Sequence, residues 1–355
     1  MQFDVGRMLS WIDAIFSDAS DRFHALGRRA LINLITHNKE HSYLLGRSIE
    51  KCYLAKSEKA LESYFEVVTQ VLIEHQDIAP AFWKILSACL YTLGNSNSNI
   101  RLKSARLLRL IEERQDISSK LQDLEISVSD KTIAVYKLAQ FEMSRRLAST
   151  HSDLAFHVFS EFSRHFKEIN ADYQRNMVAA ILPWIQAINL QVDTVGNPTA
   201  NSYMLLVNLF EITVLCGTAL HNEMQALWQA LTAGLYGGNV QVVLDFIINL
   251  CLEKREQNFV DYAKQIVVHL SSTAAGLKVV EFLLLQISPK SMVMERRPVP
   301  PPPQDGTLPY VADIGHILPA GANKNVSCNI TFAFWNVYSL WFRRGSLSAN
   351  CALFS

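Results

Sequence analysis

Residues 202–288 read SYMLLVNLFEITVLCGTALHNEMQALWQALTAGLYGGNVQVVLDFIINLCLEKREQNFVDYAKQIVVHLSSTAAGLKVVEFLLLQIS. Apolar residues in this stretch recur at i, i+3, i+4 and i+7, which is the spacing of a helix that packs along one side. The clearest periodic runs lie at 224–235, 243–251, 259–270 and 277–287. The stretch therefore predicts four or five amphipathic helices in tandem, with no catalytic motif between them.

The same stretch carries an internal repeat. Equivalent helix starts recur near residues 202, 239 and 274, a period of roughly 35 residues that is typical of stacked helical pairs. Periodic apolar patterns place further helices almost continuously from residue 3 to residue 216. We therefore expect an all-α fold, a HEAT/armadillo-like α-solenoid of stacked antiparallel helix pairs, with a non-regular C-terminal tail.

Turn and linker signals divide the chain. The cluster 94–99 (GNSNSN) and the tripeptide 196–198 (GNP) separate predicted helices, and the polar segment 115–130 is expected to be an exposed loop between repeats. The predicted domains follow from these signals and from the change of composition after residue 294. They are a helical-repeat array over 1–294, a Pro-rich linker over 295–309, a short helical segment over 310–320 and an aberrant or disordered tail over 321–355.

Two of these C-terminal segments leave alternatives open. Arg297, Pro300 and Pro303 have the spacing of a ligand for an SH3-type groove, but a semi-rigid polyproline linker explains the stretch as well. The tail 321–355 crowds aromatic residues without caps or a clean period. It is either a membrane tail anchor or, as we prefer, translated non-coding sequence beyond a misread gene boundary.

Composition excludes several functional classes. The 355 residues are 49% hydrophobic, and Lys+Arg equals Asp+Glu at 33, so no global field favours nucleic acid or a membrane surface. A local basic stripe is expected on a solvated helix face or, alternatively, at an anionic partner; it consists of Arg101, Lys103, Arg106 and Arg109. The N-terminus has no signal-peptide pattern, and no stretch before residue 322 suits a bilayer span, so the expected location is cytoplasmic.

Few residues in the sequence suggest a catalytic or metal-binding site. His37, Glu40 and His41 form a literal H-x-x-E-H match, the zinc pattern of inverted zincin peptidases, with Glu112 or Glu113 as an arbitrary third ligand. The motif falls where one helix ends and the next begins, so we interpret it as a polar turn. The six cysteines are widely spaced, and those in helical patterns are expected to be buried reduced thiols. No catalytic, cofactor or metal residue is assigned, and the chain is predicted not to be an enzyme.

Several longer segments of the sequence are more specific for a protein family than the overall composition is. They are 10–13 (SWID), 27–31 (GRRAL), 181–185 (ILPWI), 208–213 (NLFEIT), 221–228 (HNEMQALW), 238–243 (GNVQVV), 255–260 (REQNFV) and 262–265 (YAKQ). Together they resemble the central region of the Furry family of cell morphogenesis proteins, in its fungal form, over about residues 3–320.

The resemblance implies a function. Furry-family members are very long HEAT/armadillo-type solenoids without catalytic activity that act as scaffolds for an NDR-family kinase and its Mob-type co-activator. They support polarised growth and cortical actin organisation, which implies a cytoplasmic location enriched at cortical sites. The resemblance supplies no partner-contacting position, and it gives no reason to expect nucleic-acid binding or stable membrane insertion.

Two further expectations depend on that resemblance. The chain is much shorter than a full member, so we interpret it as a fragment whose uncapped repeat ends would promote self-association. The remaining alternatives are a solenoid cargo or transport adaptor and, remotely, the zinc peptidase suggested by residues 37–41.

Overall fold

The computed structural model describes most of the chain from residue 4 to residue 286. The gaps in that range are residues 19, 79, 195, 255–256 and 274–275. The polyproline stretch, the short segment after it and the tail, together with Cys328 and Cys351, lie outside the described residues, and the expectations for them stay predictions.

Helices account for the regular structure of this part of the chain. They are α1 (Val5–Ser17), α2 (His24–His37), α3 (Tyr43–Leu54), α4 (Glu58–Glu74), α5 (Phe82–Thr92), α6 (Ser98–Glu113), α7 (Glu125–Ser129), α8 (Ile133–Thr150), α9 (Ala155–Phe166), α10 (Ala171–Gln186), α11 (Ala200–Cys216), α12 (His221–Ala233), α13 (Asn239–Lys254), α14 (Gln257–Ser271) and α15 (Gly276–Gln286). Across the described residues the only β-pairing is an isolated bridge between Val192 and Pro198. The predicted all-α class is confirmed.

Side-chain caps fix several helix starts. The carboxylate of Asp4 accepts a hydrogen bond from the amide of Arg7 at the start of α1, and the hydroxyl of Ser57 accepts one from Ala60 at the start of α4. Such caps satisfy amide groups that have no partner within the helix, and each contributes about 1 kcal/mol.

The chain divides into two compact units, Met1–Ile181 and Leu182–Ser355. In the first unit, α1, α3 and α5 are followed directly by α2, α4 and α6, which pack against them. Helices also contact the next helix but one: α2 packs on α4, α4 on α6, and α3 on α5. This alternation is the packing of an α-solenoid, in which each helix pair buries its apolar faces against its neighbours.

An ionic network ties the first helices of this unit together. Asp13 on α1 accepts hydrogen bonds from Arg47 (2.6 Å and 3.1 Å) and Tyr64 (2.5 Å) and lies 2.9 Å from the ammonium of Lys51. Burial raises the pKa of Asp13, but these three partners outweigh it and lower the pKa to about 2. The network therefore joins α1 to both α3 and α4.

The second unit repeats the arrangement. In it α12, α13, α14 and α15 each pack on the preceding or following helix, and α11 packs on α13, α12 on α14, and α13 on α15. Asn239, which is buried at the start of α13, donates to the carbonyls of Ile188 and Leu231 (2.8 Å each) and accepts from the amide of Leu190 (2.9 Å). One side chain thus fixes the turn before α13 and the segment after α10.

Helix spacing confirms the predicted repeat. Helices α11, α13 and α15 begin at Ala200, Asn239 and Gly276, which are 39 and 37 residues apart. Many side-chain hydrogen bonds between neighbouring repeats join residues with a similar separation, 37 to 44 residues. These pairs are His24–Ser63, Lys39–Asp77, Glu58–Ser96, Glu66–Lys103, Glu112–His151, Lys137–Asn176, His221–Gln265 and Gly237–Lys278.

The predicted core is confirmed only in part. Trp184 and Trp228 are completely buried, and the indole of Trp228 donates to the hydroxyl of Thr213 (3.0 Å). Trp11, by contrast, is 46% exposed. Cys52 and Cys89 are buried free thiols as predicted, whereas the side chains of Cys216 and Cys251 are only half-buried.

Candidate functional site

The repeat pattern is interrupted between α6 and α8, and the interruption carries the most distinctive polar chemistry of the first unit. Helix α7 is a single short turn of five residues that packs between α6 and α8, while α5 contacts α9 directly. The segment 115–130 was predicted to be an exposed loop. That prediction holds only in part, because the segment contains α7 and buries Ser119, Leu121 and Val128, while Ile126 is 83% exposed.

Arg101 anchors this segment. Its guanidinium donates to the backbone carbonyls of Asn95 and Ser96 (2.7 Å each), Val128 (2.7 Å) and Asp130 (2.5 Å). It also lies over the ring of Tyr136, 3.8 Å from the ring centroid. A side chain that binds four carbonyls on two separate segments acts as an internal clamp.

The basic stripe on α6 is therefore only in part the solvated face that its sequence suggested, since Arg106 is exposed and Arg101 is buried. Arg101 is only 1% exposed, and burial lowers the pKa of its guanidinium. Lys103 pairs with Glu66, and Arg106 and Arg109 both pair with Glu125 on α7. These charges bind neighbouring helices, so the stripe offers little positive charge to an anionic partner.

A second buried node lies at the C-terminal end of α6. The carboxylate of Glu112 accepts hydrogen bonds from the hydroxyl (2.5 Å) and the amide (3.1 Å) of Ser119, and it lies 2.8 Å from Nε2 of His151. Burial raises the pKa of Glu112, but His151 and Ser119 outweigh it and lower the pKa. Because Ser119 and His151 both contact the carboxylate rather than each other, the trio is not arranged for nucleophilic catalysis.

An open polar cavity of about 720 Å³ lies beside this node. It is lined by Ser118, Ser119, Lys120, Gln122, Asp123, Arg145, Arg146, Ser149 and Thr150. Arg146 binds Asp123 through both its terminal nitrogens (2.8 Å and 3.1 Å) and donates to the carbonyl of Lys120 (2.6 Å). Hydroxyl groups and cations line this cavity, so its chemistry suits a polar or anionic group.

The H-x-x-E-H match does not form a metal site of the zincin type. His37 is the last residue of α2, and Glu40 and His41 lie in the exposed turn before α3, so the histidines do not share a helix face. The predicted polar turn is confirmed. Glu112 is committed to Ser119 and His151, and Glu113 pairs with Arg109 (3.3 Å), so neither serves as a third ligand.

Two other histidines occupy structural positions. His151 and His165 are buried beside Glu112 and Glu161, and the ring of His165 stacks on Tyr53 (4.3 Å between centroids). Among the described residues no group of three or more His, Cys, Asp and Glu side chains could hold a metal ion. In the same part of the chain no helix is both long and apolar enough to cross a membrane.

Sequence reasoning did not find the cavity. Its residues come from 118–123 and 145–150, which are separated by a whole helix, and no single motif links them. The one local signal is the pair Arg145–Arg146 near the C-terminal end of α8, and alone it is indistinguishable from an ordinary solvated helix face.

Comparison with known proteins finds a family that matches nearly the whole helical array. A family described as "Cell morphogenesis central region" matches residues 6–295. The "Cell polarity protein mor2" of Schizosaccharomyces pombe is 27% identical over 325 residues, which cover 90% of this chain and 15% of that protein. The "Cell morphogenesis protein PAG1" of Saccharomyces cerevisiae is 27% identical over 295 residues, which cover 82% of this chain and 12% of that protein. The chain thus matches only about an eighth to a seventh of the length of these relatives.

Proposed function

Because the chain belongs to the family described as the cell morphogenesis central region, we propose that it acts as a non-enzymatic scaffold in cell morphogenesis and polarised growth. The observation that carries this proposal is the family match over residues 6–295, which takes in nearly the whole described array. The names of the two relatives, a cell polarity protein and a cell morphogenesis protein, point the same way.

The polar chemistry of the array agrees with a scaffold. Its buried charged groups, such as Arg101 and Glu112, bind backbone or neighbouring repeats and hold helices in place. A catalytic group must reach a substrate, whereas these groups are enclosed by protein on every side. We therefore assign them to the stability of the array and assign binding to its exposed surface.

The partners that we propose are an NDR-family kinase and its Mob-type co-activator, which the family resemblance implies. The scaffold would lie in the cytoplasm and concentrate at cortical sites of growth, where it would support actin organisation. Stacked helical repeats suit this role because they present a long surface on which two proteins can bind side by side.

An in-frame deletion in the host gene tests this proposal. Cells that lack the codons for residues 6–295 should lose polarised shape, and a fluorescent NDR-family kinase should leave the cortical growth sites. A matched strain with His37→Ala and His41→Ala should keep its shape, because these histidines lie in a turn. Normal shape and normal kinase localisation after the deletion would refute the proposal.

A further inference from the structure

Helix α8 is apolar on two opposite sides. Its inner side consists of buried residues that include Tyr136, Met143 and Leu147. Its outer side carries Ala134, Leu138 and Phe141 at i, i+4 and i+7, and we call these three residues the α8 stripe. Leu138 is 70% exposed. A helix with one buried face normally presents polar residues to solvent, so an outer apolar stripe indicates a binding surface.

Exposed apolar residues concentrate around this stripe. Ile126 on α7 is 83% exposed, and Ile133 and Val135 at the start of α8 are exposed as well. The stripe and these neighbours lie at the interrupted repeat, where α7 is too short to form the usual helix pair. Five exposed large apolar residues thus lie between residues 126 and 141.

The α8 stripe leads directly to the polar cavity. Arg145 lies four residues after Phe141 on the same side of α8, and Ser149 lies one turn further on. At about 1.5 Å per residue, the distance from Ala134 to Arg145 is roughly 16 Å along the helix axis, or about three turns. An apolar surface of that length with a polar end is the size that one amphipathic helix covers.

The charges around the cavity favour a partner segment that carries carboxylates. Lys120, Arg145 and Arg146 face two carboxylates, Asp123 and Glu142. Arg146 is shared between both carboxylates, whereas the ammonium of Lys120 has no carboxylate partner among the described residues. The surplus is one positive charge, carried by exposed groups. A partner that places carboxylates here gains attraction, and one that places lysines here is repelled.

The backbone holds Lys120 in this place. Its φ of 53° is in the left-handed region, which is unfavourable for a residue other than glycine. Two hydrogen bonds stabilise that conformation: the amide of Lys120 donates to the hydroxyl of Ser118 (3.2 Å), and its carbonyl accepts from Arg146 (2.6 Å). The backbone that carries the Lys120 side chain is thus held in one conformation at the edge of the cavity.

We propose that the α8 stripe and the polar cavity together bind an amphipathic helix of a partner protein, with apolar residues at i, i+4 and i+7 and carboxylates beyond one end of that row. This inference rests on the proposed scaffold function and deepens it, because it names one surface and the chemistry of the segment that binds there. It does not depend on which protein supplies the helix.

Peptide binding to the full chain tests this proposal. The probe is a synthetic, fluorescently labelled helical peptide of about twenty residues with leucines at i, i+4 and i+7 and two glutamates beyond the row, made with the glutamates at either end. A matched peptide carries lysines in place of the glutamates. We expect one orientation of the glutamate peptide to bind roughly tenfold more tightly than its lysine counterpart, as measured by fluorescence anisotropy.

Variants of the chain distinguish specific binding at this surface from non-specific hydrophobic binding. Leu138→Ser should weaken binding roughly tenfold, since it removes an apolar side chain that becomes buried on binding. Arg145→Glu should remove the preference for glutamate over lysine. Leu26→Ser alters another exposed leucine, which lies on α2 and is 52% exposed, and it should leave binding unchanged. Circular dichroism establishes that each variant has folded.

Three results would overturn the proposal. The first is the absence of binding by either glutamate peptide, and the second is equal binding of the glutamate and lysine peptides. The third is a dimer in sedimentation velocity that Leu138→Ser abolishes, which would show that a second copy of the chain occupies the stripe. If the peptide fails but an NDR-family kinase still binds the chain, this surface is wrong while the scaffold function stands.

Discussion

The buried guanidinium of Arg101 allows a quantitative prediction. Replacement of Arg101 by lysine keeps the positive charge but replaces a planar fork of donors by a single nitrogen. The arginine reaches carbonyls before α6, at Asn95 and Ser96, and carbonyls at the end of α7, at Val128 and Asp130. One ammonium cannot reach both groups, so the lysine variant loses at least two of the four hydrogen bonds.

The cost follows from these contacts. A hydrogen bond to a charged group contributes about 1.5 kcal/mol or more, so two lost bonds destabilise the segment 115–130 by about 3 kcal/mol. The loss of the guanidinium above the ring of Tyr136 adds to this destabilisation. Because Arg101 contacts this segment at Val128 and Asp130, near its C-terminal end, the effect should be local, and repeat arrays unfold in parts in any case.

Hydrogen exchange measured by mass spectrometry detects this change. We expect amide protection over residues 115–130 to fall by roughly a hundredfold in Arg101→Lys, which is the exchange equivalent of about 3 kcal/mol. Arg106→Lys is the matched control, since Arg106 lies on the same helix but its side chain is 61% exposed; protection should change by less than about threefold. Unchanged protection in Arg101→Lys would refute the claim that this side chain clamps the segment.

Three more substitutions test the packing of the array. The folded-state pKa of Asp13, about 2, lies below its ordinary value, so its contribution of about 2 kcal/mol is present at neutral pH and is lost as the pH falls towards 2. Asp13→Asn should therefore be less stable than the parent at pH 7 and nearly equal to it at pH 2 in urea denaturation; equal stability at pH 7 would contradict the network. Asn239→Asp replaces a donor to two carbonyls by a carboxylate, and it should raise exchange at residues 188–191 by roughly a hundredfold, corresponding to about 3 kcal/mol. Trp228→Phe leaves the hydroxyl of Thr213 without its indole donor and opens a small cavity, so the thermal midpoint should fall by several degrees, corresponding to about 2 kcal/mol; no shift would show that Trp228 is not a core anchor.

The sequence was a good guide to the regular part of the fold. In the second unit the helices from α12 to α15 have the spacing of one apolar side, and the turn around Gly234 and Gly237 carries its own signal. A side chain at Gly234 would approach the carbonyl of Gln186 to 2.7 Å, so glycine is needed where α12 ends. Periodicity and turn residues are local properties, and they sufficed to predict the helices and a repeat close to the observed one.

The interrupted repeat could not be predicted in this way. The guanidinium of Arg101 binds backbone carbonyls that are distant in sequence, and no local sequence pattern indicates such contacts. From the sequence alone, Arg101 is therefore indistinguishable from the other members of the basic stripe. The segment 115–130 reads as polar, although Leu121 and Val128 are buried. Helix α8 lacks a clean amphipathic pattern for a related reason: apolar residues such as Leu138 lie on its outer side as well as on its inner side.

Binding of an NDR-family kinase with its Mob-type co-activator to the purified full chain tests the scaffold function most directly. Biolayer interferometry with the immobilised chain measures the affinity, and circular dichroism confirms that the chain is helical. We predict a reversible complex with a dissociation constant in the micromolar range or below, as is usual for a specific protein interface of standard size. A helical, folded chain that binds neither the kinase nor its co-activator would contradict the scaffold function proposed for this array.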